Sequence, residues 1–236
     1  MLPDVEPFLS RVRALLPDTR GHGRSQRFER PEDYGYGAKA GDLVAWLDTL
    51  GVAASVFGGV SMGAALSLWL AVHHAGRVRG VFSISGPPYA PPPEDKRWWA
   101  AHRPLVAAGR FDEYFDANVR LRMGDPALAR LKDRPERYAE LLESLRRHSA
   151  ASLLALLDET YSRPEWLGDC ARIRCPVQIV AGERDHFPTV EMSRRLAATI
   201  PGARLHVVAE GPHFPNRSHR AEVQVVMDAF LSSLGI

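Results

Sequence analysis

Ser61 lies at the centre of Gly59-Val60-Ser61-Met62-Gly63, between an apolar run from Val52 to Phe57 and a second from Ala64 to Val72. A serine hydroxyl is a poor nucleophile near neutral pH. It needs a base to take its proton, and the base needs an anion to fix its tautomer and orientation. A strand that reverses sharply into a helix supplies the right stage, because the turn exposes the central side chain and the helix start aims unpaired amides at what it attacks. Small residues at Gly59 and Gly63 are expected to let the two backbone segments pass closely. In a parallel sheet the loops leaving the carboxyl ends of the strands converge on one edge, so the partners should stand just after strands. Two candidates do. Asp185 follows the predicted strand Val177 to Ala181, and His213 follows the predicted strand Leu205 to Val208.

Other groups compete for these roles. Glu183 and His186 flank Asp185, His206 falls inside a predicted strand, and His219 opens a helix. His22, held between Gly21 and Gly23, reads as a loop-shaping residue.

The elements that would carry these residues alternate along the chain. Val5, Phe8, Leu9 and Val12 share one face of an opening helix, and Ala14 to Leu16 reads as a short buried strand stopped by Pro17. A helix over residues 31 to 50 ends at Gly51. The elbow strand, the helix after Ser61 and a β-branched strand from Val78 to Ser85 follow. From Pro91 to about Trp166 the pattern turns wholly helical, rich in arginine, leucine and aromatics and divided by Pro126, Pro135 and Pro164. Strands and helices then alternate to the end, with helices at Val190 to Thr199 and from about Arg220 to Leu234. Such alternation predicts an α/β fold with a mostly parallel sheet covered on both faces.

The order serine, acid, histidine is the one used by α/β-hydrolases, and the chain resembles that superfamily over nearly its whole length. Asp18-Thr19-Arg20-Gly21-His22-Gly23-Arg24-Ser25 is similar to the superfamily's D-x-R-G-H-G-x-S loop. Gly59 to Gly63 resembles its nucleophile elbow, Gly182 to Asp185 its acid loop, and His213 its late histidine. The resemblance implies Ser61 as nucleophile, His213 as general base and then acid, Asp185 as orienting carboxylate, and the Met62 amide as one oxyanion donor. It divides the chain into a hydrolase core over residues 1–90, a helical cap over 91–166 and the rest of the core over 167–236.

The implied activity is cofactor-independent hydrolysis of an ester, lactone or related acyl bond in a small molecule, most similar to enol-lactonase and carboxylesterase relatives. Hydrolysis of a carbon–carbon bond, perhydrolysis, or ligand binding without catalysis on the same scaffold are the alternatives. One departure stands out. The superfamily's first strands and the HG-type loop that donates the second oxyanion amide are not found, and Met1 falls just beyond where that loop would lie. The favoured expectation is a natural start upstream of Met1, with a genuine truncation, or another segment filling the gap, as the alternatives. A chain short of that amide would turn over roughly a hundredfold to a thousandfold more slowly.

Composition closes off other classes. Thirty basic against 28 acidic side chains give a formal charge of +2, and the arginines are scattered, so neither nucleic acid nor an acidic membrane is an expected partner. Cys170 and Cys175 lack the further ligands of a zinc site, and no metal is expected. The stretch between Asp48 and Arg77 has no charged residue, yet its glycines and serines divide it into strand, turn and helix rather than a membrane span. With no basic start leading into an apolar segment, the expected location is cytoplasmic.

Overall fold

The computed structural model describes residues 2–236. Four strands, β1 (Ser55–Val60), β2 (Val78–Ile84), β3 (Val177–Gly182) and β4 (Arg204–Val208), form one parallel sheet in the order β1-β2-β3-β4. Every pair is parallel, with Val60 opposite Ile84, Ile84 opposite Val180, and Gly182 opposite Val208. Parallel neighbours need long crossovers, and the helical segments provide them. The inner strands are apolar almost throughout: β3 is wholly buried and β2 exposes only Arg79. The outer strands are partly open. That contrast is what a sheet covered on both faces requires of its centre and its edges.

The helices, in chain order, are α1 (Leu2–Val5), α2 (Tyr36–Thr49), α3 (Met62–His73), α4 (Pro93–Ala107), α5 (Phe111–Met123), α6 (Asp125–Lys132), α7 (Pro135–Arg146), α8 (Ala150–Ser162), α9 (Val190–Thr199), α10 (Pro215–Ser218) and α11 (Arg220–Ser233). The charge-free stretch after Asp48 resolves into β1, a turn and α3. Among the described residues no helix is long and apolar enough to cross a membrane.

Two compact units emerge. One comprises residues 2–17, Ala40–Tyr89 and Glu165–Ile236 and holds the sheet. Its core sets Phe82, Ile84, Val180 and Val208 from the strands against Val223, Met227, Phe230 and Leu231 from α11, with Phe8 added from the amino-terminal segment. The other comprises Asp18–Lys39 and Ala90–Pro164. Tyr34, Trp99, Val106, Tyr114, Leu153, Leu156 and Tyr161 form its core. Pro126 and Pro135 sit in the first turns of α6 and α7, where a missing amide hydrogen costs nothing. The stretch 18–39 belongs to this helical unit, joined to it through Tyr34.

Two expectations at the amino end are corrected. Ala14 to Leu16 forms no strand, and Leu16 is 47% exposed. No neighbouring strand among the described residues offers it ladder hydrogen bonds, and apolar side chains alone do not hold an extended segment in place. The opening helix is a single turn followed by a 3-10 turn at Glu6–Phe8, which brings Phe8 into the core but leaves Leu9 46% exposed.

Candidate active site

Ser61 sits at the sheet's carboxyl edge, between the end of β1 and the first residue of α3. Its backbone has φ 54° and ψ −113°, a conformation that side-chain-bearing residues rarely adopt. The amide of Ser61 donates to the carbonyl of Ile84 at 2.8 Å, and the carbonyl of Ser61 accepts from Ala65 at 3.0 Å. The strained residue is therefore tied to β2 on one side and to the helix on the other. Only one flanking glycine is sterically required. A Cβ on Gly59 would lie 2.6 Å from the Gly63 carbonyl carbon, whereas a Cβ on Gly63 would meet nothing within 4 Å. The expected need for a small residue at Gly63 is thus corrected: its backbone crowds Gly59, while its own side-chain position is open. Met62 opens α3, so its amide has no acceptor within the helix and is available to an oxyanion.

Asp185 and His213 are brought together. His213 Nδ1 and Asp185 Oδ2 are 2.8 Å apart, with both residues buried. The second carboxylate oxygen, Oδ1, accepts the amide of Phe187 at 3.0 Å. A carboxylate held at both oxygens has a fixed plane, and it fixes the imidazole with the proton on Nδ1 and the lone pair on Nε2. No group among the described residues hydrogen-bonds His213 Nε2, the nitrogen a base would use. Nor, among the described residues, does Ser61 Oγ hydrogen-bond the imidazole: the acid and the histidine are brought together by a direct bond, and the serine is not bonded to the pair.

The contact between acid and base depends on a residue that spacing alone did not single out. A Cβ on Gly182 would fall 2.3 Å from the Pro212 carbonyl oxygen and 2.4 Å from that of Gly211. Only glycine lets the histidine loop lie this close to the end of β3. The amides of Glu183 and Arg184 then donate to the carbonyls of Val208 and Gly211 at 3.0 and 2.8 Å. The signal was present in the sequence as the glycine that opens the acid loop, but its partner lies in a distant segment.

The competing groups are engaged elsewhere. Glu183 is exposed and accepts the Glu210 amide at 2.9 Å. His206 pairs with Glu222 at 2.7 Å, and His219 Nδ1 is 2.9 Å from Ser218 Oγ. His186 is exposed. In the helical unit, His22 Nδ1 lies 3.2 Å from the Arg20 carbonyl, and burial lowers its pKa. Its loop is shaped locally: Asp18 accepts the Arg24 amide, and a Cβ on Gly23 would strike the Asp18 carboxylate.

Sheet, elbow, acid loop and histidine loop together define a hydrolase of the α/β type, and comparison with known proteins agrees. The model of the alpha/beta hydrolase family matches residues 3–224, and the chain belongs to that family. It is 30% identical over 230 residues to 3-oxoadipate enol-lactonase 2 of Acinetobacter baylyi, covering 94% of this chain and 81% of that protein. Among solved structures, the enol-lactonase from Burkholderia xenovorans superposes with a TM-score of 0.74 at 24% identity, over 91% of this chain and 78% of that one. A thermophilic esterase from Thermogutta terrifontis reaches a TM-score of 0.77 at 21% identity, over 98% and 84% of the two chains.

Proposed function

We propose that this hydrolase cleaves an ester, lactone or related acyl bond of a small molecule through an acyl-enzyme on Ser61. The observation that carries the reading is the buried 2.8 Å contact between His213 Nδ1 and Asp185 Oδ2. It reserves Nε2 for a proton at the sheet edge where Ser61 stands. In the first step Nε2 takes the Ser61 proton as Oγ attacks the carbonyl carbon, and the Met62 amide stabilises the oxyanion. His213, now an imidazolium held by Asp185, returns the proton to the leaving oxygen. In the second step the same nitrogen deprotonates water, which attacks the acyl carbon and releases the acid, with Ser61 regaining its proton. The relative named a 3-oxoadipate enol-lactonase supports a small acyl substrate, and a lactone fits the mechanism because its ring oxygen is the leaving group.

The test uses p-nitrophenyl acetate and a fluorophosphonate probe on the wild-type chain and on Ser61→Ala. Turnover and probe labelling that both disappear in the folded Ser61→Ala protein are the expected result. A folded wild-type protein that forms no serine-dependent adduct would overturn the proposal.

A further inference from the structure

His213 is fixed on its upstream side by the glycine-permitted approach to β3 and by Asp185. Downstream, the chain enters α10 within two residues, and that short helix carries an unusual burial. Asn216 is 3% exposed, its Nδ2 donates to Asp4 Oδ2 at 3.3 Å, and its Oδ1 is buried without a partner among the described residues. Asp4 is 4% exposed and comes from α1, far away in sequence. A buried amide three positions after a base, held by a carboxylate from the other end of the chain, is poorly explained as core filling, because apolar groups pack there at lower cost.

Asp4 is itself delivered by a segment with independent anchors. Phe8 joins the α11 core, with Val5 and Val12 packed against it. Gln224 donates to the Pro3 carbonyl at 3.0 Å, Arg11 pairs with Asp228, and Arg220 Nε approaches Asp4 Oδ1 at 3.8 Å. The anchors hold α1 against α11 whether or not Asn216 is present, so the Asp4 to Asn216 bond acts on α10 and the loop before it. We propose that Asp4 and Asn216 are positioning residues that latch the His213 loop, keeping the imidazole in register with Asp185 and Ser61. The inference rests on the Ser61 mechanism proposed above, and its consequences are separable from it.

The experiment compares Asp4→Ala, Asn216→Ala, the double variant and Asp4→Asn in the full chain. Readouts are kcat and KM on p-nitrophenyl acetate and the downfield proton NMR resonance of His213 Nδ1–H. Misplacement of a base costs turnover rather than binding. Each alanine variant should lose on the order of tenfold in kcat with KM within about twofold, and the double variant should be no worse than either single one. Asp4→Asn keeps an oxygen for Asn216 Nδ2 and should retain most of the wild-type kcat. The Nδ1–H resonance should broaden in the alanine variants and persist in Asp4→Asn. Alanine variants that fold with unchanged kcat and resonance would overturn the latch. So would equal losses in Asp4→Asn and Asp4→Ala. If wild type shows no Ser61-dependent turnover, the proposed mechanism fails, and the resonance alone still decides whether the latch holds His213.

Discussion

Gly59 and Gly63 flank the same serine, yet the structure gives them opposite tolerances. Gly59→Ala forces a methyl group into the backbone of the following helix and should abolish folding or turnover, whereas Gly63→Ala should retain near-normal stability and measurable activity. Thermal melts and p-nitrophenyl acetate assays on the pair check this. Gly182→Ala is expected to separate the histidine loop from β3, lowering kcat steeply. Asp185→Asn keeps the size of the group but favours the wrong imidazole tautomer, and a loss of about 10⁴-fold in kcat is expected by analogy with the serine-protease triad. The places of Ser61, Asp185 and His213 after the carboxyl ends of strands were legible because each stands past an apolar run, a property of local sequence. Gly182's contact with Pro212, and the pairing of Asn216 with Asp4, were not legible. They depend on how segments far apart in the chain approach one another, and a motif holds no record of that.

At the level of elements, strands and helices with strong periodicity were readable because burial repeats with the backbone's own period. Helices 190–199 and 220–233 and the central strands follow from such patterns. Ala14 to Leu16 was misread because a strand also needs a neighbour, which no run of apolar residues guarantees. The turn that leads into helix α8 held a surprise of another kind. His148, buried in the helical unit, places Nε2 2.8 Å from the Gly21 carbonyl and Nδ1 2.7 Å from Ser152 Oγ. The carbonyl only accepts, so Nε2 carries the proton, and Ser152 donates to a neutral ring. Burial, with smaller contributions from Arg27 and His22, lowers this pKa from 6.5 to about 4, against an opposing pull from the Gly21 carbonyl. The unfolded chain therefore takes up a proton that the folded chain refuses. The stabilisation is complete above about pH 6.5 and is lost as pH falls toward 4. Between pH 7 and 5 the cost should be on the order of 2 kcal/mol. Urea denaturation at both values checks it: His148→Gln should lose most of that pH dependence while being less stable at pH 7. At the start of the same helix, the Ser149 hydroxyl accepts the Ser152 amide at 3.0 Å, and Ser149→Ala should cost about 1 kcal/mol.

For the molecule as a whole, the two compact units each have their own apolar core, so mutations in them should report separately. Leu153, 1% exposed in the helical unit, is surrounded by aromatic rings, and Leu153→Ala should destabilise that unit by about 2 to 5 kcal/mol. Hydrogen exchange resolved by segment would locate the loss in residues 18–39 and 90–164.

The backbone at Ser61 bears on the whole chain's endurance as well. A residue held at φ 54° costs roughly 1 to 3 kcal/mol relative to a relaxed one, and glycine occupies that region without penalty. Ser61→Gly should therefore melt several degrees higher than its parent while hydrolysing nothing. The inert protein would be the hardier one, and heat resistance selected without an assay for turnover would drift toward it.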